Sequence, residues 1–366
     1  MRILHVYKDF DPPVRGGMER HIALSCRFQR EWAQVAALTC SRRIWSQSTT
    51  RDGTPVMEVG EWGRVQSAPI SPLFPWYLGR LDADICVVHM PNPTAELSYL
   101  LYRPRGRLVV RYHSDVVRQA LAMRFYRPFQ MHFLRKAAMI LPTSQPYLDH
   151  SPILQSVRER CRAVPIGILP EEFQNPDEAN VAALRARYGG RYVLFSGRHR
   201  YYKGLRYLVE AAPRINATVV IAGDGPERAG CEALARSLEA PVHFPGALSQ
   251  EDLVDHLHGC DVFVFPSIER SEAFGLSMLE AHACGKPVVA TKLGTGVEVV
   301  NQHEGTGLNV APRDAEALAG AVNRLLADEA MREAMGAEGR RRVESEFHAR
   351  TVARREFELY QEVLAG

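Results

Sequence analysis

The chain has 366 residues, a net charge of +3, 46% hydrophobic residues and 24% charged ones. This length is too great for one typical domain and suits two of roughly 150–200 residues, and the composition is that of an ordinary globular protein. No apolar stretch reaches the roughly 18–20 residues of a membrane span, and seven scattered cysteines (26, 40, 86, 161, 231, 260 and 284) without a CxxC spacing argue against a zinc site or disulfide framework and for a reducing, cytoplasmic setting.

Charge is unevenly spread. Residues 1–170 hold 23 Lys and Arg against 13 Asp and Glu, while residues 171–366 hold 22 against 29. A basic half joined to an acidic one suggests that the first half faces an anionic partner, either nucleic acid or an anionic membrane surface carrying a lipid-linked substrate.

The N-terminus, Met1 to Asp9, is too short in its apolar core for a signal peptide and reads as a first strand. Apolar runs near 2–7, 34–39, 84–88, 107–112 and 138–141 alternate with helix-like segments, and the same alternation returns with runs near 191–196, 217–222, 261–265 and 287–291. This is the pattern of a doubly wound α/β fold built twice, with the Pro-rich stretch Val164–Pro170 as the linker. Ligands of such sheets lie outside the carboxyl ends of the strands, which directs attention to a cleft between two domains. From Asp314 onward the chain is helical, and its last segment reads as an amphipathic surface helix with Val352, Phe357, Tyr360 and Leu364 on one face.

Along the chain, Gly16-Gly17 follows the first strand and opens a helix, so the pair either lets backbone approach a phosphate or merely makes a turn. Asp82-Ala83-Asp84 has the look of a metal-binding pair but stands at the amino end of its strand, and so reads as a polar strand entry. His113 ends a parallel strand, a place at the cleft rather than in the core. Beyond it, Arg118, Arg124, Arg127, Arg135 and Lys136 interleave with Phe125, Tyr126, Phe129 and Phe133. That segment is either a membrane-surface contact or a helix pair broken at Pro128, packing its aromatics inward.

The second half opens with a strand, Gly197-Arg198, and then Lys203-Gly204, where the guanidinium could fork onto phosphate oxygens and the ammonium supply a point charge. Gly223-Asp224-Gly225 begins like a dinucleotide fingerprint, but Arg228 stands where the third glycine belongs, which argues against NAD. Gly285-Lys286 lacks the remainder of a P-loop. The most informative stretch is Glu272-Ala273-Phe274-Gly275-Leu276-Ser277-Met278-Leu279-Glu280. It sets one carboxylate in a strand-to-helix loop and a second along a helix expected from about Phe274 to Ala283, with free N–H groups between them. Such a site suits a diphosphate held by backbone and hydroxyls held by carboxylates, the two halves of a nucleotide sugar.

In order and spacing these motifs resemble the retaining GT-B glycosyltransferases of glycosyltransferase family 4 over essentially the whole chain. Ala273 departs from the glycine many members carry there. The resemblance implies an α/β chain with two Rossmann-like doubly wound domains facing an inter-domain cleft. The acceptor-binding domain would span 1–168, the nucleotide-sugar domain 169–345, and a helix at 346–366 would pack back toward the first. It implies catalytic roles for His113, Arg198, Lys203 and Glu272, and donor contacts from Gly16, Gly17, Gly197, Gly223, Gly225, Phe274, Gly275, Leu276 and Glu280. No metal or other cofactor and no nucleic acid is implied. The stretch Arg111–Gln119 looks most like bacterial mannosyltransferases that use GDP-mannose, a narrower likeness than the fold, and UDP- or ADP-sugars remain alternatives. The acceptor would be a glycan, carried on a polyprenyl diphosphate, with Arg118, Arg124, Arg127 and Lys136 toward it or toward an anionic inner-membrane surface. A glycoside hydrolase with paired glutamates, a nucleotide-sugar epimerase and a non-catalytic nucleotide-sugar-binding subunit stand as competing classes.

Overall fold

The computed structural model describes residues 1–14, 16–65, 68–102, 104–115 and 120–366, with 120–124 by backbone alone. Arg118 and the side chain of Arg124 therefore lie outside the described residues. The chain divides into two compact units, Met1–Gly167 with Ala349–Gly366, and Ile168–His348. The divisions fall within three residues of the expected 168/169 and 345/346.

The first unit is built on a seven-stranded sheet. Its strands are β1 (Arg2–Val6), β2 (Gln34–Ser41), β3 (Gln47–Arg51), β4 (Thr54–Gly60), β7 (Asp82–Met90), β8 (Arg105–Tyr112) and β9 (Met139–Pro142), and β5 (Gly63–Val65) with β6 (Ala68–Ile70) forms a separate small hairpin. The order is β3-β4-β2-β1-β7-β8-β9. Every neighbour pair is parallel except β3 with β4, an antiparallel edge. Ile3 lies opposite both Val35 and Ile85, so the middle strand is paired on either side. Covered on both faces, the central strands are continuous apolar runs such as Ile85–Val88, fully buried. Asp82 and Asp84 do stand at a strand entry, where Arg2 bonds Asp82 at 2.5 Å and Asp84 at 3.2 Å.

The second unit carries β10 (Tyr192–Ser196), β11 (Thr218–Ala222), β12 (Val242–Gly246), β13 (Val262–Phe265), β14 (Val288–Thr291) and β15 (Gly307–Val310), all parallel, in the order β12-β11-β10-β13-β14-β15. Both cores are sheets sandwiched by helices, the second gathering Val193, Phe195, Leu208, Ile221, Val264 and Leu325. Each such side chain contributes about 1.5–3 kcal/mol on full burial.

Several expectations need correcting. The strands β3, β4, β5, β6, β12 and β15 were not anticipated. Pro128 does not split its segment: Ala120–Leu134 is one helix with the proline inside it. The helix after β13 starts at Leu276 rather than near Phe274, because Gly275 takes φ 92° and ψ 65° at its N-cap. In the final helix, Ala349–Ala365, the buried face is Val352, Ala353, Glu356, Phe357, Tyr360 and Val363, whereas Leu364 is 43% exposed. Among the described residues no helix is long and apolar enough to cross a membrane, and all seven cysteines are buried and free.

Candidate functional site

In the second unit the residues singled out from the sequence gather at the carboxyl ends of β10, β11 and β13. Lys203 ends a one-turn helix, Tyr201–Lys203, after β10. Its ammonium bonds the Glu272 carboxylate, and Ser267 Oγ donates to the same oxygen at 3.2 Å. The Phe265 ring lies 4.8 Å from Lys203 Nζ, a cation–π contact that backs the ammonium. Lys203 and Glu272 are each 12% exposed.

Glu272 leads into the Leu276–Ala283 helix, whose N-cap is Gly275, with no side-chain cap. The first N–H groups of this helix have no intrahelical partner, and the helix dipole adds positive potential there. Gly275 is needed for its left-handed φ of 92°; the Met278 methyl that a Cβ would meet at 2.5 Å is the end of a flexible side chain. Phe274 turns its ring into the unit, 6.1 Å from Phe347, so what it offers a ligand is backbone. Glu280 is half-buried on the helix. Burial pushes its carboxyl up to about 7, Lys203 opposing and Glu172 reinforcing the shift.

Arg198 is exposed in the loop after β10. The neighbouring glycines serve packing between two loops. A Cβ on Gly223 would sit 1.9 Å from Gly197 O, and His199 N donates to Asp224 O at 2.8 Å. Gly197, Gly223 and Gly225 thus lie together, and the close approach of the two loops accounts for Gly223 without a ligand. Lys286 is tied down, bonding His258 O at 2.7 Å. One residue that the sequence reading passed over, Glu298, accepts from the N–H groups of Leu293, Gly294 and Thr295 at 2.7–3.2 Å and fixes the loop after β14.

In the first unit, Gly16 and Gly17 begin the Gly17–Gln29 helix, again with no side-chain cap. Gly16 is extended, at φ −172°, so its backbone does not demand glycine. His113 follows β8 but is 3% exposed, not open as expected. It is covered because the Gly17–Gln29 helix brings the ring of His21 to 5.5 Å, and β7 brings that of His89 to 5.3 Å. His89 Nδ1 meets His113 Nε2 at 3.0 Å, and His89 Nε2 meets His5 Nδ1 at 2.9 Å. Arg111, one position before Tyr112, is fully buried and pairs with Glu356 at 3.0 Å while donating to the carbonyls of Leu141, Val164 and Pro165. Burial by itself would raise the Glu356 carboxyl, but the bond to His21 and the Arg111 charge hold it at about 2.

The Ala120–Leu134 helix buries some of its aromatic residues and exposes others. Phe133 is buried, and Tyr126 donates to Glu96 at 2.7 Å. Phe125 and Phe129, one turn apart, are 74% and 55% exposed, and Arg127, Arg135 and Lys136 are exposed in the same stretch of chain. A cavity of about 250 Å³ at the end of β2, lined by Asp9, Arg42, Arg43, Gln47, Arg51 and Glu58 among others, was not foreseen. Among the described residues no group of three or more His, Cys, Asp and Glu is arranged to hold a metal ion.

The fold has counterparts among solved structures. The whole chain superposes on sucrose-phosphate synthase from Thermosynechococcus elongatus with a TM-score of 0.81 at 23% identity, covering 100% of this chain and 99% of that one. An Anabaena protein solved in complex with UDP gives a TM-score of 0.79 at 18% identity, covering 99% and 100%. The fold is therefore that of the GT-B glycosyltransferases. Residues 177–342 match the family described as Glycosyl transferases group 1. Over 354 residues the chain is 35% identical to O-antigen chain mannosyltransferase C of Escherichia coli, covering 95% of each. Over 340 residues it is 34% identical to a D-rhamnosyltransferase of Pseudomonas aeruginosa, covering 92% of this chain and 89% of the relative. The chain belongs to the group 1 glycosyl transferases.

Proposed function

We propose that the protein is a retaining, metal-independent hexosyltransferase of family 4 that moves mannose from GDP-mannose to a lipid-linked glycan during assembly of a bacterial surface polysaccharide. The observation that carries the chemistry is the Lys203–Glu272 ion pair, joined by Ser267, beside the uncapped start of the helix that carries Glu280. The choice of mannose rests on the two near-full-length relatives, named for mannosyl and rhamnosyl transfer.

In this reading the bond from the sugar C1 to the diphosphate breaks as an acceptor hydroxyl attacks from the same face, and its proton departs with the diphosphate. Lys203, Arg198 and the N–H groups of Leu276 and Ser277 offset the charge that grows on the leaving group. Glu272 exchanges its bond to Lys203 for sugar hydroxyls, and Glu280 accepts from the ribose hydroxyls. His113 contacts the sugar. Acceptor binding falls to the first unit. There the exposed rings of Phe125 and Phe129, in a stretch that also exposes Arg127, Arg135 and Lys136, suit the cytoplasmic surface of an anionic membrane.

A thermal-shift comparison of GDP, UDP, ADP and their sugar conjugates tests the donor. A ligand at a hundredfold excess over its dissociation constant stabilises by about 2.7 kcal/mol. A response to GDP and GDP-mannose alone is expected; a selective UDP or ADP response would discard mannose and keep the reaction class. Transfer is expected to persist in excess EDTA, and loss restored by Mg²⁺ would overturn the metal-independent mechanism.

A further inference from the structure

The buried hydrogen bonds around His113 run in one direction, and their starting point fixes the rest. A carboxylate only accepts. Gln29 therefore approaches Glu356 Oε2 with its Nε2–H group, at 3.1 Å, which leaves Gln29 Oε1 as an acceptor facing His5 Nε2 at 2.8 Å. His5 must carry its proton on Nε2. A neutral imidazole has one N–H, so His5 Nδ1 is bare and accepts from His89 Nε2 at 2.9 Å. By the same step His89 Nδ1 is bare and accepts from His113 Nε2 at 3.0 Å. The series ends at His113 Nδ1, a buried atom with no hydrogen-bond partner among the described residues.

We infer that Glu356, Gln29, His5 and His89 are positioning residues that lock His113 as its Nε2–H tautomer, so that Nδ1 presents a lone pair and recognises a hydroxyl of the sugar rather than an oxygen of the phosphate. The hydroxyl assignment rests on the reading above in which His113 contacts the nucleotide sugar. For Nδ1 to donate to a phosphate, three bonds would have to reverse, and the Gln29 carbonyl would have to turn against the Glu356 carboxylate. The other route is a second proton on His113, which its surroundings oppose. Burial lowers the basicity of His5, His21, His89 and His113, and the Arg111 guanidinium adds to this at His89 and His113. Among the described residues, the charged groups facing the cluster are Arg111 and Glu356, which pair with each other.

Two measurements separate the parts of this inference. In protein labelled with ¹⁵N-histidine, two-bond ¹⁵N–¹H correlation reports the tautomer of each ring, with His113 assigned from a His113→Phe sample. The ligand-free protein is expected to show His113 protonated on Nε2 and bare on Nδ1. In Gln29→Leu, whose fold is checked by thermal melting, His113 is expected to become a mixture of tautomers. Protonation of Nδ1 in the unsubstituted protein, or a tautomer indifferent to a folded Gln29→Leu, would overturn the relay. If the leucine variant does not fold, the unsubstituted spectrum decides alone. The second measurement is calorimetric binding of GDP and GDP-mannose to His113→Phe. A loss of about tenfold for GDP-mannose, with GDP unchanged, is expected from one hydrogen bond. Equal losses would assign His113 to the phosphate and overturn the hydroxyl assignment. Failure of the unsubstituted protein to bind either ligand would sink the donor reading, leaving the tautomer result to stand or fall on its own spectrum.

Discussion

Arg111 and Glu356 in the first unit are 0% and 1% exposed, whereas Lys203 and Glu272 in the second are each 12% exposed. Both are ion pairs at the carboxyl side of a parallel sheet, yet they are built for different ends. Around Arg111 most polar groups are tied to one another: four carbonyls accept from its N–H groups, and Ser25 and Gln29 donate to the second oxygen of its partner. Among the described residues, the side chains of Lys203 and Glu272 are further held by a Ser267 hydrogen bond and by the Tyr202 and Phe265 rings. A sealed pair holds structure; a pair left partly open can trade its bonds for those of a ligand.

The comparison can be broken most directly at Arg111. Arg111→Met leaves Glu356 buried with its main countercharge gone, and a stability loss of about 3–5 kcal/mol in urea unfolding is expected. A loss below about 1 kcal/mol would erase the distinction between the pairs. At the other pair, Lys203→Ala should lower kcat by about 10²–10³, the effect of removing one group that stabilises developing charge, and Glu272→Ala should lower kcat/KM by about tenfold or more through its lost bonds to the sugar hydroxyls. The accompanying stability loss should stay near 1 kcal/mol, as for a partly exposed ion pair. A variant that unfolds instead would show the second pair to be structural too.

A smaller effect lies in pH. The Glu280 carboxyl is raised to about 7 in the folded protein, above an unfolded value of about 4.3. The folded state therefore holds this proton more tightly, and the contribution is stabilising at low pH and lost as pH rises from about 4 through 7. Glu280→Gln should flatten that decline by on the order of 1–2 kcal/mol in melts at pH 5 and pH 8. Nucleotide affinity should move the opposite way, rising with pH in the unsubstituted protein as Glu280 becomes an acceptor for ribose. A nucleotide affinity that is flat from pH 5 to 8 would remove Glu280 from the donor site. The smallest stability effect is expected at the exposed ring pair: Phe125→Ser with Phe129→Ser should change stability by no more than about 0.5 kcal/mol. Flotation with anionic vesicles should nevertheless drop sharply; unchanged flotation would leave this face without a membrane role.

How much of this was legible beforehand follows from the physics of each element. Strands such as Val262–Phe265 are buried on both faces and so appear as unbroken apolar runs. β3, Gln47-Ser48-Thr49-Thr50-Arg51, is a polar edge strand with no apolar rhythm, and β12 carries a proline, Pro245, that reads as loop. The Glu272–Glu280 stretch was visible because its parts are close in sequence. The histidine relay was not, because its four links join residues 5, 29, 89, 113 and 356, brought together only by sheet order and by the final helix. His5 and His89 each sit inside an apolar strand and look like isolated core positions. Glu356 looks like the solvated face of an amphipathic helix, and only the packing of that helix on Gly17–Gln29 turns it inward.

That last helix has a bearing on how the protein is made. Ala349–Gly366 belongs to the unit that begins at Met1, while the second unit is one unbroken segment, Ile168–His348. Domains form as units while the chain emerges from the ribosome at about 5–20 residues per second. Here the segment translated later is complete first. A nascent chain that has reached His348 contains all of the second unit. The helix that packs on Gly17–Gln29 and the Glu356 that pairs with Arg111 are still to be made.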